Sequence, residues 1–226
     1  MKIKMAARSK FFWDNFVHLV MEAPRGLDFS RNEYPYPDDH ERIWYERTTG
    51  EHLKVLFSYF EDKNKRVLDI GCGKGYALYR IHKMGFEHVD GIEYDTRMAG
   101  IAQRNMEILK LADQVTIYNM DATEFTGYDN YDVIYMFHPF KGRIMEAVVC
   151  DVEESLMRQP RPFTVVYFHP REHAVWDSSP MFYKSLEWTL AFSNVELDVY
   201  YYEFDPDYKR KERIPPFKKI LESAMK

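Results

Sequence analysis

Five short apolar runs, at residues 66–70, 88–93, 115–119, 131–137 and 163–168, are separated by stretches with helical periodicity at 75–84, 96–111 and 142–158. This alternation predicts β-α-β units, because parallel strands need a crossover and a helix is the usual one. The runs are apolar almost throughout, as strands covered on both faces must be. Two further β-rich stretches, 185–193 and 195–204, are joined only through Asn194. With no room for a helix between them they must pair antiparallel. The expected fold is therefore α/β: a sheet of five parallel strands, covered on both faces and closed by an antiparallel hairpin.

Ahead of the sheet, Phe12, Phe16, Leu19 and Val20 recur at helical spacing, which predicts a helix over 10–21 closed by Pro24 and Gly26. The stretch 27–39 contains Tyr34-Pro35-Tyr36-Pro37 and reads as an extended loop, since residues before proline avoid the helical region. A further helix is expected from Glu41 or Thr49 to Phe60. Residues 1–40 are thus an N-terminal helical extension and 41–226 the domain proper. The start, MKIKMAARSKFFWDNFVHLV, has the basic-then-apolar order of a leader, but Asp14, Asn15 and His18 interrupt it and no small-residue cleavage site follows. No stretch approaches the ~18 uninterrupted apolar residues of a membrane span. Two cysteines, Cys72 and Cys150, make no disulfide framework and no metal-ligand spacing. Together these features point to a cytoplasmic chain.

Val67-Leu68-Asp69-Ile70-Gly71-Cys72-Gly73-Lys74-Gly75 is an apolar strand ending in an acid and a glycine turn. Glycines serve where backbone must approach a ligand or take positive φ. A dinucleotide loop would read G-x-G-x-x-G, but Tyr76 stands at its third glycine and the spacing is G-x-G-x-G. That weakens a nicotinamide-dependent oxidoreductase. Asp69 beside a diphosphate would place like charges together. It suits an ammonium group instead, while a helix N-terminus suits a carboxylate. Both groups occur on the methionine end of S-adenosylmethionine. Glu93 ends the second run 20 residues past Gly73, where a carboxylate can accept both ribose hydroxyls. Asn119-Met120-Asp121-Ala122-Thr123 follows the third run; Asp121 there can take an adenine amine and Ala122 can offer its backbone amide.

With these three motifs the chain resembles a class I S-adenosylmethionine-dependent methyltransferase over residues 41–204. The resemblance implies a Rossmann-like, doubly wound, seven-stranded, mostly parallel sheet with an antiparallel last strand, with Asp69, Gly71, Gly73 and Gly75 at the methionine end of the cofactor, Glu93 at the ribose and Asp121 at the adenine; Cys72, Tyr94, Ala122 and Phe137 are further cofactor-binding candidates. Tyr45-Glu46-Arg47-Thr48 resembles the Tyr-Glu-Pro-Thr stretch ahead of the glycine loop in a bacterial group of uncharacterised methyltransferases, distantly similar to the non-SET histone-lysine methyltransferases. That stretch folds over the cofactor, which makes Tyr45 and Thr48 candidates. An ordinary helix cap by Thr48 or Thr49 explains the same residues equally well.

The acceptor belongs at the end of the fourth run, because ligands lie outside the carboxyl ends of the strands. There the chain reads Tyr135-Met136-Phe137-His138-Pro139-Phe140, similar to the Asn/Asp-Pro-Pro-aromatic stretch of amino-group methyltransferases. His138 stands in place of the amide or acid. It is the candidate catalytic residue, able to accept a hydrogen bond from an amine or to take a proton from a hydroxyl, against a plain structural role at the strand end. Phe168-His169-Pro170 repeats the corner after the fifth run. His169-Pro170-Arg171-Glu172-His173 matches a metalloprotease pattern, but Pro170 directly after a strand opposes the required helix, and no metal is expected. Tyr34, Tyr36 and Trp44 could form an aromatic lid, although rings of this kind more often pack a core. The net charge of −5 favours a small molecule or a protein over RNA as acceptor, and with no long apolar stretch no membrane partner is expected. The function these residues imply is methyl transfer to a nitrogen or oxygen. The alternative is a cofactor-binding partner module without catalysis.

Overall fold

The computed structural model describes residues 13–31, 41–43, 45–192 and 195–207. Seven strands, β1 (Val67–Ile70), β2 (Val89–Glu93), β3 (Ile117–Asn119), β4 (Val133–Phe137), β5 (Phe163–Phe168), β6 (Tyr183–Phe192) and β7 (Val195–Phe204), form one sheet in the order β3-β2-β1-β4-β5-β7-β6. Its first five strands are parallel; β7 runs antiparallel to β5 and to β6. The helices are α1 (Gly50–Phe57), α2 (Tyr76–Lys83), α3 (Thr96–Ile108), α4 (Gly142–Arg158) and α5 (His173–Asp177).

Residues alternate faces along each strand. Val67, Val89, Val133 and Tyr135 pack with Leu53, Leu56 and Phe57 of α1 and Leu78 and Ile81 of α2. Leu68, Ile70, Ile134 and Met136 pack on the other face with Ile144, Met145, Val148 and Val152 of α4 and Trp176 of α5. Strand order reverses between β1 and β4, which opens a crevice at their carboxyl ends. The sheet and both helical layers agree with the sequence reading, with β1 to β4 trimmed by a residue or two, β5 and β7 as read, and β6 starting two residues earlier.

The N-terminal helix is described from residue 13; its expected start at Lys10 lies outside the described residues, as do Tyr34, Tyr36 and Trp44. Helical residues 13–17 run into a π turn, His18–Glu22, and a 3-10 turn, Ala23–Arg25, closed by Gly26 at φ 76. Beyond it the chain is tied to the glycine loop. Lys74 Nζ, fully buried, donates to Asp28 Oδ1 at 2.8 Å and to the Arg31 carbonyl at 2.7 Å. Asn105 Nδ2 donates to the carbonyls of Asp28 and Lys74, both at 3.0 Å. Thr49, not Glu41, starts α1, its hydroxyl accepting from the His52 amide at 3.2 Å.

Candidate active site

The glycine loop is held by the neighbouring strand. The amides of Gly71 and Cys72 both donate to the Ile92 carbonyl at 2.9 Å. The amide of Gly73 donates to Glu93 Oε2 at 2.8 Å, and Glu93 Oε1 accepts from the Asp95 amide at 2.8 Å. Glu93 therefore fixes the loop as well as facing the cleft, a role its spacing alone did not reveal. Gly71 (φ 80) and Gly73 (φ 54) occupy left-handed backbone that side chains disfavour. A Cβ on Gly71 would also stand 2.6 Å from Pro139, and one on Gly73 would meet the Tyr45 ring.

A cleft opens over this loop, with a cavity volume of about 100 Å³. Tyr45, Thr48, Asp69, Gly71, Cys72, Gly73, Glu93, Tyr94, Asp121, Ala122, Phe137 and His138 all line it. Gly75 does not: it turns the chain into α2 at φ 80, where a Cβ would face Met106 at 3.1 Å. Its glycine serves backbone shape and helix packing.

Asp69 and Glu93 are 3 % and 7 % exposed. Burial first, and then the charge of Glu93, holds the Asp69 carboxyl well above the usual carboxylate range. Glu93 is also raised by burial, against its backbone hydrogen bonds. Two desolvated acids in one cleft favour a cationic guest. Burial raises the Cys72 thiol well above its ordinary value, so it is a packing residue and not a nucleophile.

At the other end, Asp121 Oδ1 accepts from the Thr123 amide at 2.9 Å and caps a 3-10 turn, Ala122–Glu124. Its Oδ2 is paired with Arg42, whose guanidinium lies 3.9 Å from the Tyr94 ring centroid. Sequence reasoning missed Arg42; a pairing 79 residues apart leaves no local signal. The segment around it crosses the cleft. The Ile43 amide donates to the Pro139 carbonyl at 3.1 Å and the Lys141 amide to the Glu41 carbonyl at 2.7 Å. The Tyr45 hydroxyl donates to the Phe29 carbonyl at 2.5 Å, and burial pushes that phenol well above 10. Buried Thr48 shares a 2.7 Å hydrogen bond with the Tyr135 hydroxyl. The cap at α1 thus falls to Thr49, while Thr48 faces the cleft.

His138 leaves β4 in left-handed backbone at φ 42 and is 4 % exposed. Among the described residues neither ring nitrogen has a hydrogen-bond partner, so the ring does not cap the strand end. Burial, then Arg171, His169 and Lys141, push its pKa down to about 4. Helix α5 begins only at His173, and His169 Nε2 accepts from Arg171 Nε at 2.8 Å.

Residues 67–159 match the family of methyltransferase domains. A candidate methyltransferase of Geobacillus sp. (strain WCH70) is 33 % identical over 105 residues, covering 42 % of this chain and 40 % of that one. The protein-lysine N-methyltransferase EFM4 of Saccharomyces cerevisiae is 27 % identical over 130 residues, 54 % of this chain and 45 % of that one. The matched stretch thus spans less than half the length of these relatives. Among solved structures, a Streptococcus agalactiae protein of the NADB-Rossmann superfamily superposes with a TM-score of 0.57 at 18 % identity, covering 80 % of this chain and 84 % of that one. The magnesium protoporphyrin IX methyltransferase of Synechocystis, solved with bound S-adenosylmethionine, gives a TM-score of 0.53 at 16 % identity over 69 % and 79 % of the two chains. The glycine loop and the ribose-distance carboxylate share one crevice, the last strand of the sheet is reversed, and the matched methyltransferase domain, residues 67–159, covers the strands that form that crevice.

Proposed function

We propose that this chain transfers a methyl group from S-adenosylmethionine to a nitrogen or oxygen of an acceptor, a small molecule or a protein in preference to RNA, in the cytoplasm. The observation that supports this most is the pair of buried carboxylates, Asp69 and Glu93, beside bare glycine backbone in a cleft that also receives His138 from the next strand. The residues suit the cofactor. An ammonium group beside Asp69 relieves both causes of its raised pKa, the burial and the repulsion from Glu93. The Glu93 carboxylate accepts backbone bonds from Gly73 and Asp95 and, with about four lone-pair sites on its two oxygens, can still take a ribose hydroxyl.

In this reading Asp69, Gly71, Gly73 and Cys72 hold the amino-acid end, Glu93 and Tyr94 the ribose, Asp121 and Ala122 the adenine, and Tyr45, Thr48 and Phe137 close the cleft around them. When bound, the cofactor supplies a methyl group already activated on a positively charged sulfur. The protein's work is to align the acceptor and exclude water. His138 is neutral at pH 7 and too weak a base for a hydroxyl or an ammonium, so it positions the acceptor by a hydrogen bond. Residues 41–226 are the catalytic domain and 1–40 its extension, with Arg42 to Thr48 contributing to the cleft wall. Both cysteines are free thiols, as a reducing compartment requires. Among the described residues no helix is long and apolar enough to cross a membrane.

One observation favours a second reading, a cofactor-binding module without catalysis: the Tyr45 ring packs on Gly73, and His138 is only 4 % exposed. Titration calorimetry with S-adenosylmethionine, followed by S-adenosylhomocysteine release in the presence of desalted cell extract, separates the two. An enzyme releases product and loses release in His138→Ala with unchanged cofactor affinity. A module binds equally in both forms and releases none.

A further inference from the structure

β4 and β5 end on the same three residues, Phe137-His138-Pro139 and Phe168-His169-Pro170, and the parallel register pairs Phe137 with Phe168. The two histidines therefore leave the sheet side by side. Both take left-handed backbone, at φ 42 and φ 54, and their rings meet edge to face with centroids 5.5 Å apart. Unfavourable backbone at two adjacent strand ends persists only where surrounding structure imposes it, and such positions cluster at ligand sites. His138 lines the cleft, 4 % exposed, with both ring nitrogens unpartnered among the described residues. A buried polar ring without a partner is a site made for one.

Charge selects the partner. After burial, the groups that lower the pKa of His138 are the cations Arg171 and Lys141 and the neighbouring ring of His169. The acids nearby, Glu46 and Asp198, bear on His169, together with Arg171. Arg171 Nε donates to His169 Nε2 at 2.8 Å, so neutral His169 carries its proton on Nδ1. His138, likewise neutral, has one N–H to give.

We propose that this twin-histidine corner is the acceptor subsite and that it takes a carboxylate, His138 donating its N–H to the acceptor oxygen while His169 and Arg171 act as positioning residues. The proposal rests on the methyl-transfer reading above and narrows it to an oxygen acid. A carboxylate arrives ionised at neutral pH and needs no base, which the corner does not supply, and it is drawn to cations that repel an ammonium. The step balances. A carboxylate oxygen bonds to the methyl carbon as the sulfur–methyl bond breaks, and the bonding pair returns to sulfur. One negative and one positive charge vanish, and no proton is released.

The test uses the full chain, ¹⁵N-labelled at histidine and loaded with S-adenosylhomocysteine, titrated with benzoate and separately with benzylammonium by NMR at pH 7. Benzoate is expected to shift the His138 and His169 ring signals saturably and benzylammonium to leave them in place. Arg171→Ala should weaken benzoate by about tenfold or more, the loss of one charged partner, and should raise the His138 pKa, which a merely structural role would not do. Arg171→Lys should recover most of both. Shifts with benzylammonium, with both probes alike or with neither overturn the proposal, as does an unchanged His138 pKa in Arg171→Ala. Calorimetry of S-adenosylhomocysteine on the same sample keeps the two claims apart. Cofactor affinity without a benzoate response removes the subsite alone. A benzoate response without cofactor affinity removes the methyl-transfer reading and the proposal with it.

Discussion

Replacing Glu93 by alanine tests the site where its structural and binding roles meet. The carboxylate accepts the Gly73 and Asp95 amides, each at 2.8 Å, and is 7 % exposed. Hydrogen bonds to a charged partner contribute about 1.5–3 kcal/mol each, so two set a ceiling of about 6 kcal/mol. Burial of the carboxylate opposes this, as its raised pKa shows, and that cost is recovered when the charge goes. The expected net destabilisation is about 2–4 kcal/mol. For a chain of 226 residues this corresponds to a fall in Tm of about 5–15 °C. Glu93→Gln keeps one acceptor oxygen and should fall midway. Both variants should lose S-adenosylmethionine affinity by about 1–3 kcal/mol, the loss of a charged hydrogen-bond acceptor. Differential scanning calorimetry and cofactor titration measure the two effects on one sample. A Glu93→Ala protein that melts with the wild type refutes the loop-locking argument, and wild-type cofactor affinity refutes the ribose contact.

Asp69→Asn should stabilise the free protein at neutral pH while weakening cofactor binding. Its folded pKa lies above the unfolded 3.8, so its contribution is fully present below about pH 4 and is lost as pH rises through the folded value. Chemical denaturation from pH 4 to 8 should show a shallower decline in the variant than in the wild type, and parallel curves would count against the buried charge. Lys74→Ala strips the cation from Asp28 and the Arg31 carbonyl. It should cost about 2–4 kcal/mol and speed amide exchange at residues 27–31, whereas unchanged protection there would show that the segment is held otherwise. His138→Gly should relieve left-handed strain worth about 1 kcal/mol while abolishing turnover; a lower Tm in that variant would show that the ring supports the fold.

The alternation of apolar runs specified the sheet because parallel strands need crossovers, and the lone Asn194 left the last pair no alternative to a hairpin. Helix α5 was not legible: it holds five residues, His173–Asp177, after a proline corner, too short for a periodic signal. Most of the cleft wall was readable, since glycines and strand-end acids keep fixed sequence spacings. The contacts across it were not. Arg42 reaches Asp121, and Lys74 reaches Asp28, through tertiary approach alone. Lys74 looks solvent-facing in sequence yet is fully buried, because the N-terminal segment folds over the loop to meet it. Gly75 belonged to the glycine pattern but answers to Met106 and Ala102 of α3, a packing demand that a loop motif does not distinguish from ligand approach.

The central claim is that the backbone at Gly71 and Gly73, between Asp69 and Glu93, receives S-adenosylmethionine. A crystal structure with S-adenosylhomocysteine tests it most directly. The account predicts the ribose on Glu93, the amino group beside Asp69 and the Tyr45 ring lying over the ligand. A nucleoside bound away from both acids, or a Tyr45 ring still seated on Gly73 with the cleft closed to the compound, would contradict it.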